Sequence, residues 1–478
     1  MSKRLSQQQL ESYLWGAATI LRGLVDAGDY KQFIFPLVFY KRLSDVWDED
    51  FARALDAYDG DEELAKTEAD ERVVVPAGAH WNEARSVAKN VGRALHNAMR
   101  AIEAANPDRL DGIFGDAPWT NKDRLPDHTL KNLLEHFSSQ TLSIERVPED
   151  SLGDGYEYLV GKFADDGGST AQEFYTNRTL VHLMATMLRP QEGESIYDPT
   201  CGTGGMLISA LAQVKRAGGE HRTLRLYGQE RNHMTASIAR MNLVLHGVED
   251  FDIQRGDTLE RPRFIEGDGL RTFDVVLANP PYSIKRWNRD AWQSDPWGRS
   301  FLGTPPQGRA DYAFLQHILK SMSPSSGRCA ILFPHGVLFR REEAEMRRKL
   351  VAADLIECVL GLGPNLFFNS PMEACVLFCR SRKPAARAGR IIFIDAVTEI
   401  AQERGASFLQ PKHQRRIAEA YAAFESRDGF ARVVAIPEVE KNGCNLSLPL
   451  YVERDQSAGA GSEERELRNL STSLRQQT

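Results

Sequence analysis

At 478 residues and 42% apolar composition, the chain exceeds one ordinary core, and two or three domains are expected with ample material to fill them. A net charge of −7 argues against a protein that grips DNA alone along a broad basic face. The six scattered cysteines (201, 329, 358, 375, 379 and 444) form no Cys-x-x-Cys pair and have no accompanying His cluster. That argues against a zinc site or a disulfide framework and points to the reducing cytoplasm.

The chain opens Met1 to Ser6 followed by three glutamines, with no apolar segment of the kind a secretory signal needs. A capping-box pattern at Ser6 to Gln9 precedes Leu10, Tyr13, Leu14, Ala17, Leu21 and Leu24 at helical spacing. The apolar run Phe33 to Tyr40 contains Pro36 and falls far short of the roughly 20 residues that span a bilayer, so it reads as buried helix and no membrane is expected. Nothing in the first 150 residues looks catalytic, and the acidic stretch Asp59 to Glu63 reads as a solvated loop.

Composition shifts near Gly153-Asp154-Gly155 and again at Asp165 to Gly168. The expected division is a helical domain over 1–152, an α/β domain over 153–400 and a helical or loop extension with a polar tail over 401–478. Strands are expected at Ser195–Tyr197, Leu224–Gly228, Phe251–Gln254, Phe273–Ala278, Arg328–Phe333, Leu355–Leu360 and Ala374–Cys379. Helical patterns such as Met234–Leu245, Asp311–Met322 and Glu342–Ala353 lie between them. This alternation predicts a Rossmann-like, mostly parallel, doubly wound sheet whose ligands lie beyond the carboxyl ends of its strands.

The first strand leads through Asp198-Pro199-Thr200-Cys201 into Gly202-Thr203-Gly204-Gly205, a loop without bulky side chains that lets backbone approach a ligand. Leu207 stands where a dinucleotide fold would place its third glycine, which disfavours hydride chemistry. The second strand ends at Glu230, suited to a ribose, and the third at Asp257, placed for an adenine amino group. Any one of Asp198, Glu230 and Asp257 alone reads as a turn or helix cap; three at successive strand ends read as a nucleoside site.

The strand Phe273–Ala278 runs into Asn279-Pro280-Pro281-Tyr282. The prolines remove two N–H donors, leaving the Asn279 side-chain oxygen and the Pro280 carbonyl to accept both hydrogens of an exocyclic amine. Held so, the amine directs its lone pair at a sulfonium methyl, and Tyr282 offers an aromatic face for the base. A base in a duplex must be flipped out to reach such a site. No Pro-Cys dipeptide occurs, so the usual nucleophile of carbon-5 cytosine methylation is missing. Downstream, Lys285, Arg286, Arg289, Arg299 and Arg309 are interleaved with Trp287, Trp292 and Trp297, which suits either phosphate contact and stacking or packing of the loop on its own domain.

These residues, together with Tyr156-Glu157-Tyr158-Leu159 and Glu173-Phe174-Tyr175-Thr176-Asn177, resemble the modification subunits of type I restriction-modification systems. The resemblance covers most of the chain. It implies a class I methyltransferase domain using S-adenosyl-L-methionine, with Glu173, Phe174, Tyr175, Thr176, Asn177, Arg178, Thr203, Gly204 and Gly205 on the cofactor's methionine side and Glu230 on its ribose. It also implies N6-adenine rather than N4-cytosine as target. The partners it implies are double-stranded DNA, a specificity subunit shared by two such chains, and optionally an ATP-driven restriction subunit. The helical N-terminal domain and the segment Asn445 to Tyr451 resemble the parts that close over DNA and dock that subunit. Asn177 departs from the family's proline and Met206 from a frequent aromatic. Gly155 to Phe163 misses a Walker loop by one residue of spacing and by Phe163 in place of Ser or Thr. Two other readings share the motif: a glutamine-methylating enzyme acting on protein, and a silent scaffold that binds cofactor and partner.

Overall fold

The computed structural model describes residues 4–26, 29–166, 177–364, 366, 373–403 and 406–453. The chain divides into two compact units, Met1–Ala185 with Arg189–Pro281, and Thr186–Leu188 with Tyr282–Thr478.

The first unit begins with helices. Gln7–Leu21 carries the expected capping box, in which Ser6 Oγ accepts from the Gln9 N–H while Gln9 Oε1 accepts from the Ser6 N–H. Phe33 to Tyr40 lies buried in the long helix Lys31–Ala57. The region around Gly153 is continuous helix, Glu149–Asp166, so Gly153 and Gly155 are helical positions. Their missing side chains permit close approach: a Cβ on Gly155 would lie 2.9 Å from Leu14, and one on Gly153 2.5 Å from the His246 ring. The near-Walker segment is thus helical and offers no phosphate loop. A single core joins these helices to Ile238, Met241 and Leu245 of helix His233–Leu245.

The same unit holds β1 (Ser195–Asp198), β2 (Arg225–Glu230), β3 (Phe251–Arg255) and, past the small hairpin of β4 (Ile265–Glu266) and β5 (Gly269–Leu270), β6 (Val275–Ala278). Their order is β6-β1-β2-β3 with every pair parallel, so all four carboxyl ends share one edge. Asp274 fixes the β1–β6 register: its Oδ2 accepts from the Ser195 N–H (3.0 Å) and hydroxyl (2.8 Å). Tyr197, Tyr227, Phe264 and Phe273 pack together against this sheet, with Tyr197 and Phe273 stacked at 4.4 Å.

The second unit contains β7 (Arg328–Pro334), β8 (Ile356–Leu362), β9 (Ala374–Arg380), β10 (Arg390–Ala396), the hairpin β11 (Ala401–Glu403) and β12 (Ala406–Phe408), and β13 (Ala431–Ala435). The order is β13-β10-β8-β9-β7, and here the sheet is mixed: β8 and β10 are parallel, whereas β9 runs antiparallel to both β7 and β8. Asn445 to Tyr451 packs back onto this unit, the Tyr451 ring stacking on Phe393 at 4.1 Å while Leu450 stays half exposed. Among the described residues no helix is long and apolar enough to cross a membrane.

Candidate active site

The shared carboxyl edge of β1, β2, β3 and β6 gathers most of the expected residues of the first unit. After β1 the chain turns through Gly202 (φ 54°) and Gly204 (φ 84°), backbone conformations that a side chain would strain, into helix Gly205–Arg216. Glu230, at the end of β2, ties this loop down: one carboxylate oxygen accepts from the Gly202 N–H (3.1 Å) and the other from the Asn232 N–H (2.7 Å). A carboxylate so placed at a strand end is of the kind that can accept ribose hydroxyls. Burial raises the Glu230 carboxyl, opposed by those backbone hydrogen bonds.

Asp198 closes β1, 2% exposed, with Oδ1 accepting from the Thr200 N–H. Burial pushes its carboxyl up to about 8, and the nearby Glu230 charge adds to the rise. Asp257 caps the turn after β3, accepting from the N–H groups of Leu259 (3.0 Å) and Glu260 (3.2 Å), and stands 3.5 Å from Arg231. All three acids therefore do turn-capping work. Asp198 and Glu230 do it while buried beside the glycine loop, and Asp257 is the most committed to its turn.

Behind the loop lies a polar network that joins Arg178, expected on the cofactor's methionine side, to Glu157 and Asn242, for which sequence reading assigned no role. Asn242, fully buried on helix His233–Leu245, donates to the Thr203 carbonyl (2.9 Å) and to Glu157 Oε1 (3.1 Å). Glu157 Oε2 in turn accepts from Arg178 Nε at 2.7 Å. Burial alone would raise the Glu157 carboxyl, but Arg178 and His246 hold it below the usual range. The available signal was a lone Asn among apolar residues in Met241 to Leu245, where a buried amide requires partners. Asn177, in the family's proline position, caps helix Arg178–Leu188 by accepting from the Thr179 N–H (3.0 Å). Glu173, Phe174, Tyr175 and Thr176 lie outside the described residues.

Asn279 follows the fully buried β6 and is itself half-buried, Pro280 is buried and Pro281 exposed. Tyr282 begins the second unit, half-buried, its hydroxyl pushed well up by burial and by Cys375 and Asp311.

The tryptophan loop resolves largely in favour of packing. Trp292 is 2% exposed and Arg299 only 1%; the Arg299 guanidinium lies 4.6 Å from the Trp292 ring and 4.9 Å from Trp297, and is paired with Asp295 at 2.6 Å. Trp287 Nε1 donates to the Gln307 carbonyl and Arg289 Nε to that of Pro305. Lys285 and Arg286 remain exposed. Among the described residues no group of three His, Cys, Asp or Glu side chains could hold a metal ion.

The chain belongs to the N-6 DNA methylase family, whose model matches residues 147–459, and residues 10–137 match the HsdM N-terminal domain. It is accordingly an adenine-specific DNA methyltransferase of the type I modification-subunit kind. It is 30% identical to the type I restriction enzyme MjaVIII methylase subunit of Methanocaldococcus jannaschii over 98% of this chain and 82% of that one. The MjaIX methylase subunit of the same organism is 29% identical, over 93% and 84%. The solved type I restriction-modification methyltransferase subunit from Streptococcus thermophilus superposes with a TM-score of 0.83 at 28% identity, covering 94% of this chain and all of that one.

Proposed function

We propose that this chain transfers a methyl group from S-adenosyl-L-methionine to the N6 amino group of an adenine flipped out of double-stranded DNA, in a cytoplasmic assembly with a specificity subunit. Two such chains join one specificity subunit, and a restriction subunit is an optional addition. The helical region over 1–152 and the extension over 401–478 serve clamping and docking around the domain over 153–400. The observation that carries the reading is the convergence, on one sheet edge, of the Glu230-tethered glycine loop and Asn279-Pro280-Pro281.

The residues present fit the cofactor, because the left-handed Gly202 and Gly204 leave backbone bare beside two buried carboxylates. Glu230 would hold the ribose, Asp257 the adenine amino group, and Asp198 with Thr203 to Gly205, and Glu173 to Arg178, the remainder. When bound, S-adenosylmethionine supplies an electrophilic methyl group and its own leaving group. The chain's work is then positioning. The Asn279 side-chain oxygen and the Pro280 carbonyl accept the two amino hydrogens and hold the nitrogen pyramidal, so its lone pair leaves the ring system. Tyr282 stacks on the base, which offsets part of the few kcal/mol that flipping costs. No general base is assigned.

The test supplies the purified chain, its specificity subunit, labelled S-adenosylmethionine and site-bearing DNA. Label is expected in N6-methyladenine. Its absence from adenine overturns the reading, and label in protein instead would favour glutamine methylation.

A further inference from the structure

Ser283, immediately after the proposed base-stacking Tyr282, has φ 50°, a left-handed conformation uncommon for a residue with a side chain. Its N–H donates to Asp311 Oδ1 at 2.8 Å. Asp311 is 1% exposed at the start of helix Asp311–Lys320, and its other oxygen accepts from Arg340 Nη1 at 2.7 Å. Arg340 lies across Gly336, where any Cβ would overlap its guanidinium, and its own carbonyl accepts from the buried Arg347 at 2.8 Å. The chain Ser283–Asp311–Arg340–Arg347 is thus a strut under the turn that carries Tyr282, buried at Asp311 and Arg347 and partly exposed at Ser283 and Arg340. A left-handed serine is strained and persists only where its surroundings over-determine it.

We propose that Asp311, itself fixed by Arg340, is a positioning residue: it holds Ser283 left-handed and thereby sets the orientation of Tyr282 toward the target base. This rests on the function proposed above. Asp311 touches neither base nor cofactor in that scheme; it acts through the Ser283 backbone.

The experiment compares wild type, Asp311→Ala, Asp311→Asn and Asp311→Ala/Ser283→Gly, each with the specificity subunit. It reads single-turnover methylation of site-bearing DNA, S-adenosylmethionine affinity by calorimetry, and amide hydrogen exchange of the 282–284 segment. Asp311→Ala is expected to slow transfer about a hundredfold, with cofactor affinity unchanged and exchange of the segment faster. Asn, which keeps the acceptor for Ser283 but loses the charge pair with Arg340, is expected to fall between. Glycine at 283, which adopts a positive φ without a tether, is expected to restore part of the rate. Unchanged exchange in Asp311→Ala overturns the strut whatever the activity, and faster exchange with wild-type transfer overturns the positioning role. A parallel loss of rate and cofactor affinity in both single variants would mean general damage and likewise overturns it. Wild type that methylates no adenine sinks the functional reading instead, while the exchange measurement still decides the strut.

Discussion

Asn279 is half-buried at the end of a fully buried strand, so its side chain can be shortened without disturbing the sheet beneath. Asn279→Ala is expected to abolish methyl transfer to adenine, by at least about a hundredfold, while calorimetric affinity for S-adenosylmethionine survives. Equal loss of both would show the site to be misassigned. Asn242→Ala should do the opposite: removing two buried donors takes the partner from the Thr203 carbonyl and from Glu157 Oε1, and cofactor affinity is expected to fall about tenfold. Asp198 allows a prediction in pH. With its carboxyl at about 8, the folded chain keeps a proton between roughly pH 4 and 8 that the unfolded chain has lost. Stability therefore falls as pH rises through that window, by at most about 1.4 kcal/mol per unit. In urea titrations Asp198→Asn should flatten that decline; an unaltered slope would place the titration elsewhere. The places of Asp198, Glu230, Asp257 and Asn279 beyond the carboxyl ends of their strands were legible because strand ends follow from residue type and order. Glu157 as a buried ion-pair partner, Asn242, Asp311 and Arg340 were not, since their partners lie 21 to 85 positions away.

At the scale of elements, hydrophobic patterning located each strand that it named to within a residue or two, since strands covered on both faces read as short apolar runs between turns. Direction was less accessible. Nothing in Ala374–Arg380 says that β9 runs against β7 and β8, because alternation and apolar runs are the same read either way. Nor did glycine announce its role at 153 and 155, where punctuation proved to be helix–helix contact. Gly92 is a sharper case, since a Cβ there would run into the Trp119 carbonyl, which is backbone and cannot rotate aside. Gly92→Ala is expected to destabilise the protein by about 1–3 kcal/mol despite alanine's better helix propensity. Gly308, with nothing within 4 Å, should tolerate alanine within about 0.5 kcal/mol. Denaturant midpoints for the two variants would check the contrast, and equal midpoints would refute it.

For the whole molecule, a net charge of −7 sets how DNA can be held. In anisotropy titrations at fixed salt, the chain alone is expected to bind duplex DNA weakly and without sequence preference, and preference should appear only when the specificity subunit is added. Sequence discrimination by the chain alone would contradict that division of labour. The expectation follows from composition, since a chain of this net charge is poorly suited to gripping DNA alone along a broad basic face.

All six cysteines are free and buried. A folded molecule therefore presents no thiol to dithiobisnitrobenzoate, and all six should react only as the chain opens, which turns a colorimetric reagent into a counter of unfolding. The same silence makes the protein a clean background for labelling. One cysteine introduced at an exposed position such as Lys89 would be the sole attachment point for a fluorophore, and its motion on adding DNA could be followed with the native sulfurs left in place.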